Sequence, residues 1–164
     1  MVGWVFFLMA LAAFGGVRAA ASRDPVALGG GVTVTPAAGW SSAADDWGAG
    51  PNQAAFQRAG AVAVFVADSY EGDADALLEE QLADLDNRFG SLRTLPAATI
   101  TIAGDLPAKR VMFTGVSQSA RLDGEVAAAS RGGVGVVMLA LAPAGQLQRA
   151  QDDLDEMLAR MVVP

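Results

Sequence analysis

Carboxylates are the residues this sequence supplies most freely for chemistry. They stand in pairs and runs at Asp45-Asp46, at Asp84 and Asp86, and at Asp152-Asp153-Leu154-Asp155-Glu156. Two carboxylates facing one cleft at about 5–10 Å would suit glycoside hydrolysis. These acids fall in turns or on the polar sides of helical stretches, where a solvated face is the plainer expectation. Asp68, Glu71, Asp73 and Asp75 crowd one turn. They miss the Gly and the Glu that a calcium loop carries at its sixth and twelfth positions, so an acid-rich helix start is expected instead. Ser41, Ser69 and Ser117 have no imidazole to activate them, because the chain contains no His. A Ser–Lys pair would need Lys109, the single Lys, and Lys109-Arg110 reads as an exposed strand end. With no Cys, thiolate nucleophiles, thiolate metal sites and lipidated Cys are excluded. Gly132-Gly133-Val134-Gly135 opens an apolar strand and reads as a hairpin turn, not a phosphate cradle. The expectation is therefore no enzyme, and no catalytic, cofactor-binding or metal-binding residue. Trp40 and Trp47 remain as speculative binding residues: each could present an aromatic contact to a partner, or pack in the core or at the edge of a sheet.

Charge narrows the partners. Eighteen acids against eleven bases give a formal charge of -7, which repels a phosphate backbone over most of the surface, so no nucleic-acid partner is expected. The N-terminus points elsewhere. Met1 to Val17 holds no charged side chain and as a helix would span about 25 Å, a little short of a hydrocarbon core. Extending it through residue 21 brings it close to full length, with Arg18 able to snorkel. Trp4, Val5, Phe6, Phe7, Leu8, Met9, Leu11 and Phe14 are the expected membrane-anchor residues, with Trp4 near an interface. A cleaved signal peptide competes with a retained single-pass anchor: Ala19-Ala20-Ala21 would serve as its cleavage site, but no Lys or Arg precedes the apolar run. One resolution is that the natural chain begins upstream of Met1, with a basic stretch there fixing the orientation. The expected division is residues 1–21 as anchor or signal segment, 22–31 as linker and 32–164 as the domain.

The elements that must position any site follow from the pattern of the remainder. Pro25 and Gly29-Gly30-Gly31 mark the linker. Val32 and Val34 alternate with Thr33 and Thr35, Gly39-Trp40 opens a second short strand, and residues 54–58 and 62–66 read as a hairpin around Gly60. The second hairpin strand is apolar on both faces, which makes it central and covered on two sides. Asp73 caps a helix whose stripe of Ala74, Leu77, Leu78, Gln81, Leu82, Leu85 and Phe89 ends at Gly90. Strands follow at 98–103, 108–116, 122–130 and 134–141, and a closing helix at 145–162 buries Leu147, Ala150, Leu154, Met157, Leu158 and Met161. Hairpin-length connections make the sheet antiparallel. The fold class is α/β (α+β): a mainly antiparallel sheet of about 6–8 strands covered by two helices, with an N-terminal transmembrane helix.

The stretch Gly31 to Trp40, a short strand running through Pro36 into Gly39-Trp40, resembles the opening of PsbP-like, Mog-type domains. The hairpin, the Leu-rich helix after an Asp-rich turn, the later Gly104-Asp105-Leu106-Pro107-Ala108-Lys109-Arg110 and the terminal helix continue the resemblance over residues 31 to 163. The chain is also similar to actinobacterial envelope lipoproteins of the LpqN type, from which it departs by lacking a lipobox Cys. The resemblance implies an α/β/α sandwich working outside the cytoplasm without catalysis. The expected role is a membrane-anchored, extracytoplasmic interaction module, as accessory subunit of a larger membrane protein complex, with the lipid bilayer as partner of the N-terminal segment. The alternative is a lipid or small-molecule carrier of the cell envelope.

Overall fold

The computed structural model describes residues 21–164. The expected anchor residues, from Trp4 to Phe14, lie outside the described residues, and no described helix is long and apolar enough to cross a membrane.

Among the described residues, ten strands and two helices build one eight-stranded sheet, its cover and a small two-stranded pair. Strands β1 (Val26–Ala27) and β2 (Thr33–Val34) form a small antiparallel pair. Strands β3 (Ser41–Ser42), β4 (Gln53–Arg58) and β5 (Ala61–Ser69) lead into helix α1 (Ala74–Arg88). After it come β6 (Gly90–Thr94), β7 (Ala98–Ile102), β8 (Leu106–Ser117), β9 (Ala120–Arg131) and β10 (Val134–Pro143). A short 3-10 turn at Leu147–Ala150 then runs into helix α2 (Gln151–Ala159). The eight-stranded sheet has the order β3-β4-β5-β10-β9-β8-β6, with β7 also paired to β8. Every pairing is antiparallel.

The two-sided strand expected around 62–66 is central. β5 lies between β4 and β10 and is buried from Ala61 to Ala67. Its alternate residues divide between two cores. Ala63, Phe65 and Ala67 join Met138, Ala140, Leu154 and Met157 beneath α2. Val62, Val64 and Val66 join Leu77, Leu85, Leu139 and Phe113 beneath α1. Asp73 caps α1, its carboxylate accepting the Ala76 N–H at 2.8 Å. Gly132 and Gly133, with φ of 58° and 79°, make the two-residue β9–β10 turn for which left-handed backbone is needed.

Three expectations need correction. Residues 26–31, read as linker, belong to the fold: Val26 and Ala27 pair with Val34 and Thr33, and Leu28 is buried. The strand β6 was not expected; four of its five residues are exposed, so it shows no apolar alternation. The closing helix is shorter than 145–162, because the chain beyond Ala159 leaves the helix and Val162 pairs with Thr33.

Candidate functional site

Cross-strand register builds two polar constellations on the face of the sheet that α2 covers. The first starts from Glu125. A row of paired residues runs through Phe56, Ala63, Ala140, Glu125 and Met112 across five strands, so one carboxylate stands in an otherwise apolar line. Glu125 is 0% exposed. Arg110 Nε, on the neighbouring β8, lies 2.8 Å from Glu125 Oε1. Gln151 on α2 donates from Nε2 to Glu125 Oε2 at 2.9 Å, and Asp155, one helical turn on, pairs with the Arg110 guanidinium. Burial raises the Glu125 pKa; the Gln151 hydrogen bond and the Arg110 charge oppose the rise, and the Asp155 charge adds to it. The network ties α2 to β8 and β9. The exposed strand end expected at Lys109-Arg110 is overturned: both residues are inside β8 and half-buried, Arg110 on Glu125 and Asp155, Lys109 on Asp75 at 3.3 Å.

The acids of α2 also depart from a plain solvated face. Asp153 accepts from Trp40 Nε1 at 2.9 Å and from Arg58 Nη1 at 2.6 Å, and Glu156 pairs with Arg23 and Arg160. Trp40 is 0% exposed within the core. As a binding residue it is therefore a correction: the ring fills space beneath α2 and its one polar atom is taken by Asp153. Trp47 is half-buried and packs against the core beneath α1. Ser41, Ser69 and Ser117 stand on three different strands. Among the described residues, no three of His, Cys, Asp or Glu are grouped to hold a metal ion.

The second constellation is open. Two residues along from Glu125 the row reads Ala142, Asp123, Thr114 and Arg93. Here the cover of α2 has ended, and a cleft of about 370 Å³ opens between β6, β8 and β9. Arg93 and Ser91 line it from β6, Thr114 and Val116 from β8, Arg121 and Asp123 from β9, and Ala144 closes one side. Asp123 is turned to the loop after β10, where its carboxylate accepts the Gly145 N–H at 2.6 Å. Arg93 and Arg121 are exposed, and among the described residues neither has an acid within ion-pair distance. On a chain of formal charge -7, two uncompensated guanidinium groups converging on one hollow favour an anionic group there. The lining mixes apolar and polar side chains, and it is the two arginines that favour an anionic group over an acyl chain.

Neither constellation was read from the sequence. For Glu125 a signal exists: it is the only charge between Gly124 and Ser130, in a run otherwise apolar on both faces. An acid so placed must find a cation or a donor. For the cleft there is none, since Arg93, Thr114 and Arg121 meet only through register.

Neither a protein-family model nor a curated protein sequence matches the chain. Solved structures do match. Cyanobacterial PsbP (CyanoP) from Synechocystis is 10% identical with a TM-score of 0.59, over 92% of this chain and 99% of that one. The Saccharomyces cerevisiae Ran-binding protein Mog1p is 16% identical with a TM-score of 0.57, over 87% and 96%. LpqN, involved in cell envelope biogenesis of Mycobacterium tuberculosis, is 14% identical with a TM-score of 0.54, over 86% and 90%. At such identities the likeness is one of fold, and the fold is PsbP/Mog-like, as the resemblance implied.

Proposed function

We propose, from a chain with the PsbP/Mog-like fold as premise, that it acts as an extracytoplasmic interaction module tethered to a membrane by its N-terminal segment, an accessory subunit of a larger membrane protein complex. The observation that carries the reading is the open cleft with its two uncompensated arginines, a docking place on an otherwise acidic molecule. Composition supports a binding role over catalysis: a chain without His or Cys has neither the commonest general base nor the most reactive nucleophile. The charge-free run from Met1 to Val17 supports the tether. Of the proteins sharing the fold, one binds Ran and another is involved in envelope biogenesis, and both are compatible with a module that works through contact. Crosslinking the tagged, full-length protein in its native membrane and identifying the captured proteins by mass spectrometry tests the reading. One membrane complex at near-equal amount is expected. Recovery of the protein alone overturns it.

A further inference from the structure

We infer that the cleft between β6, β8 and β9 is an anion-recognition site whose occupant is an acidic peptide segment of the partner, held through its carboxylates by Arg93 and Arg121. The inference rests on the interaction-module reading and names the chemistry of what that module grips.

Three observations carry it. The first is the donor set. Arg93 and Thr114 are cross-strand partners, as are Thr114 and Asp123, and strand alternation puts Arg121 on the same face as Asp123. Two guanidinium groups and the Thr114 and Ser91 hydroxyls thus border one hollow of about 370 Å³. That set offers donors to planar carboxylates, which Arg takes in bidentate fashion. The one carboxylate in the lining, Asp123, is bound to the Gly145 N–H and not to either arginine.

The second is charge contrast. Four of the other arginines on the α2 side, Arg23, Arg58, Arg110 and Arg160, are paired with acids of α2. Among the described residues three arginines have no acid within ion-pair distance: Arg149 stands outside the cleft lining, while Arg93 and Arg121 share it, on a molecule whose overall charge repels anions. Selection for a general attraction to anionic surfaces would not leave the remaining surface acidic; a local site for one acidic stretch is what this distribution fits.

The third is position. Ser41, Gln57, Val62, Leu141, Gly124, Phe113 and Thr94 form one continuous row across the sheet. Ala21, where the described chain begins, pairs with Ser41 at the β3 end of that row, and the cleft lies at the β8–β6 end. Five strand spacings separate β3 from β8, roughly 24 Å. The cleft is thus displaced from the edge where the tethering segment joins, which favours a partner's peptide over the headgroups of the lipids around the tether.

Fluorescence anisotropy with a labelled hexaglutamate peptide, titrated against the full chain in a neutral detergent, tests the site. Hexaglutamate is expected to bind, hexaglutamine not, and the affinity to fall as salt rises from about 50 to 300 mM. Arg93→Ala and Arg121→Ala should each weaken binding by roughly 5- to 10-fold. Arg93→Lys should lose less than Arg93→Ala, and Arg160→Ala should bind as the wild type does. All three positions are exposed, so the variants keep the fold. Absence of hexaglutamate binding, or equal loss in Arg160→Ala, overturns the site. Tighter, arginine-dependent recruitment to phosphatidylglycerol vesicles than to hexaglutamate overturns the peptide in favour of lipid. Repeating the crosslinking with the Arg93→Glu, Arg121→Glu double variant separates this inference from the reading beneath it. A partner lost from the double variant supports the cleft. A partner captured equally by both proteins leaves the module standing and removes the cleft from its contact, whereas no partner in either removes the module.

Discussion

Glu125 titrates against the cost of its own burial. Its folded pKa is raised above the ordinary 4.5, so the folded protein keeps a proton at pH values where the unfolded chain has released it. Stability contributed by this group therefore falls as pH climbs from the unfolded value through the folded one, and the penalty stands in full above that window. Glu125→Gln should flatten this descent: the stability difference between wild type and variant, followed by urea denaturation from about pH 4 to 8, shifts toward the variant as pH rises. Arg110→Met should destabilise by about 3–5 kcal/mol at neutral pH, because it strips the cation from a buried carboxylate, and by less where Glu125 is protonated. A loss that does not vary with pH would place the effect of Arg110 in packing. Neither partner could be paired from sequence, as Arg110 and Glu125 are brought together only by the β8–β9 register. Trp40 teaches the converse. Its type is common at interfaces, but only the placement of Asp153 on α2 decides that its indole N–H is satisfied inside.

At the level of elements, the core beneath α1 depends on two glycines covered by aromatic rings. Gly124 pairs with Phe113, and a Cβ at position 124 would come within 2.1 Å of Phe113 Cζ. The ring cannot swing freely, because Phe89 packs edge-on against it with centroids 5.9 Å apart and itself lies over Gly115. Gly124→Ala should therefore cost on the order of 1–3 kcal/mol of overpacking, read as a lowered denaturation midpoint at unchanged slope. A neutral outcome would mean the Phe89–Phe113 pair shifts at little cost. Elements with buried faces were the legible ones. β4, β5, β8, β9, β10 and α1 follow the expected positions closely, because burial on a fixed side imposes a period on the sequence. β6 and β1 were missed for the opposite reason: one is mostly exposed and the other only two residues long. The cleft depends on β6, so the part of the fold without a hydrophobic signature is also the part that shapes the site.

Across the whole molecule, the proposed tether is assigned to residues before the described domain and can be tested apart from it. Full-length protein should remain in carbonate-washed membranes, and a chain lacking residues 2–20 should appear in the soluble fraction. A shortened chain that stays with the membrane would move the attachment to the domain itself. The antiparallel sheet and its two covering helices follow from apolar patterning in this chain, and solved structures of 10–16% identity share the fold. The occupant of the cleft does not follow from that patterning, since only three or four surface side chains decide it. The strand order carries one more consequence. β10, near the C-terminal end, sits between β5 and β9 at the middle of the sheet. While the chain is being synthesised, β5 emerges early, and although α1 soon follows, one edge of β5 stays open until β10 has left the ribosome. α2, which seals the larger core, comes later still. The sheet therefore closes late, and a chaperone or translocation machinery would find the open edge of β5 exposed until then.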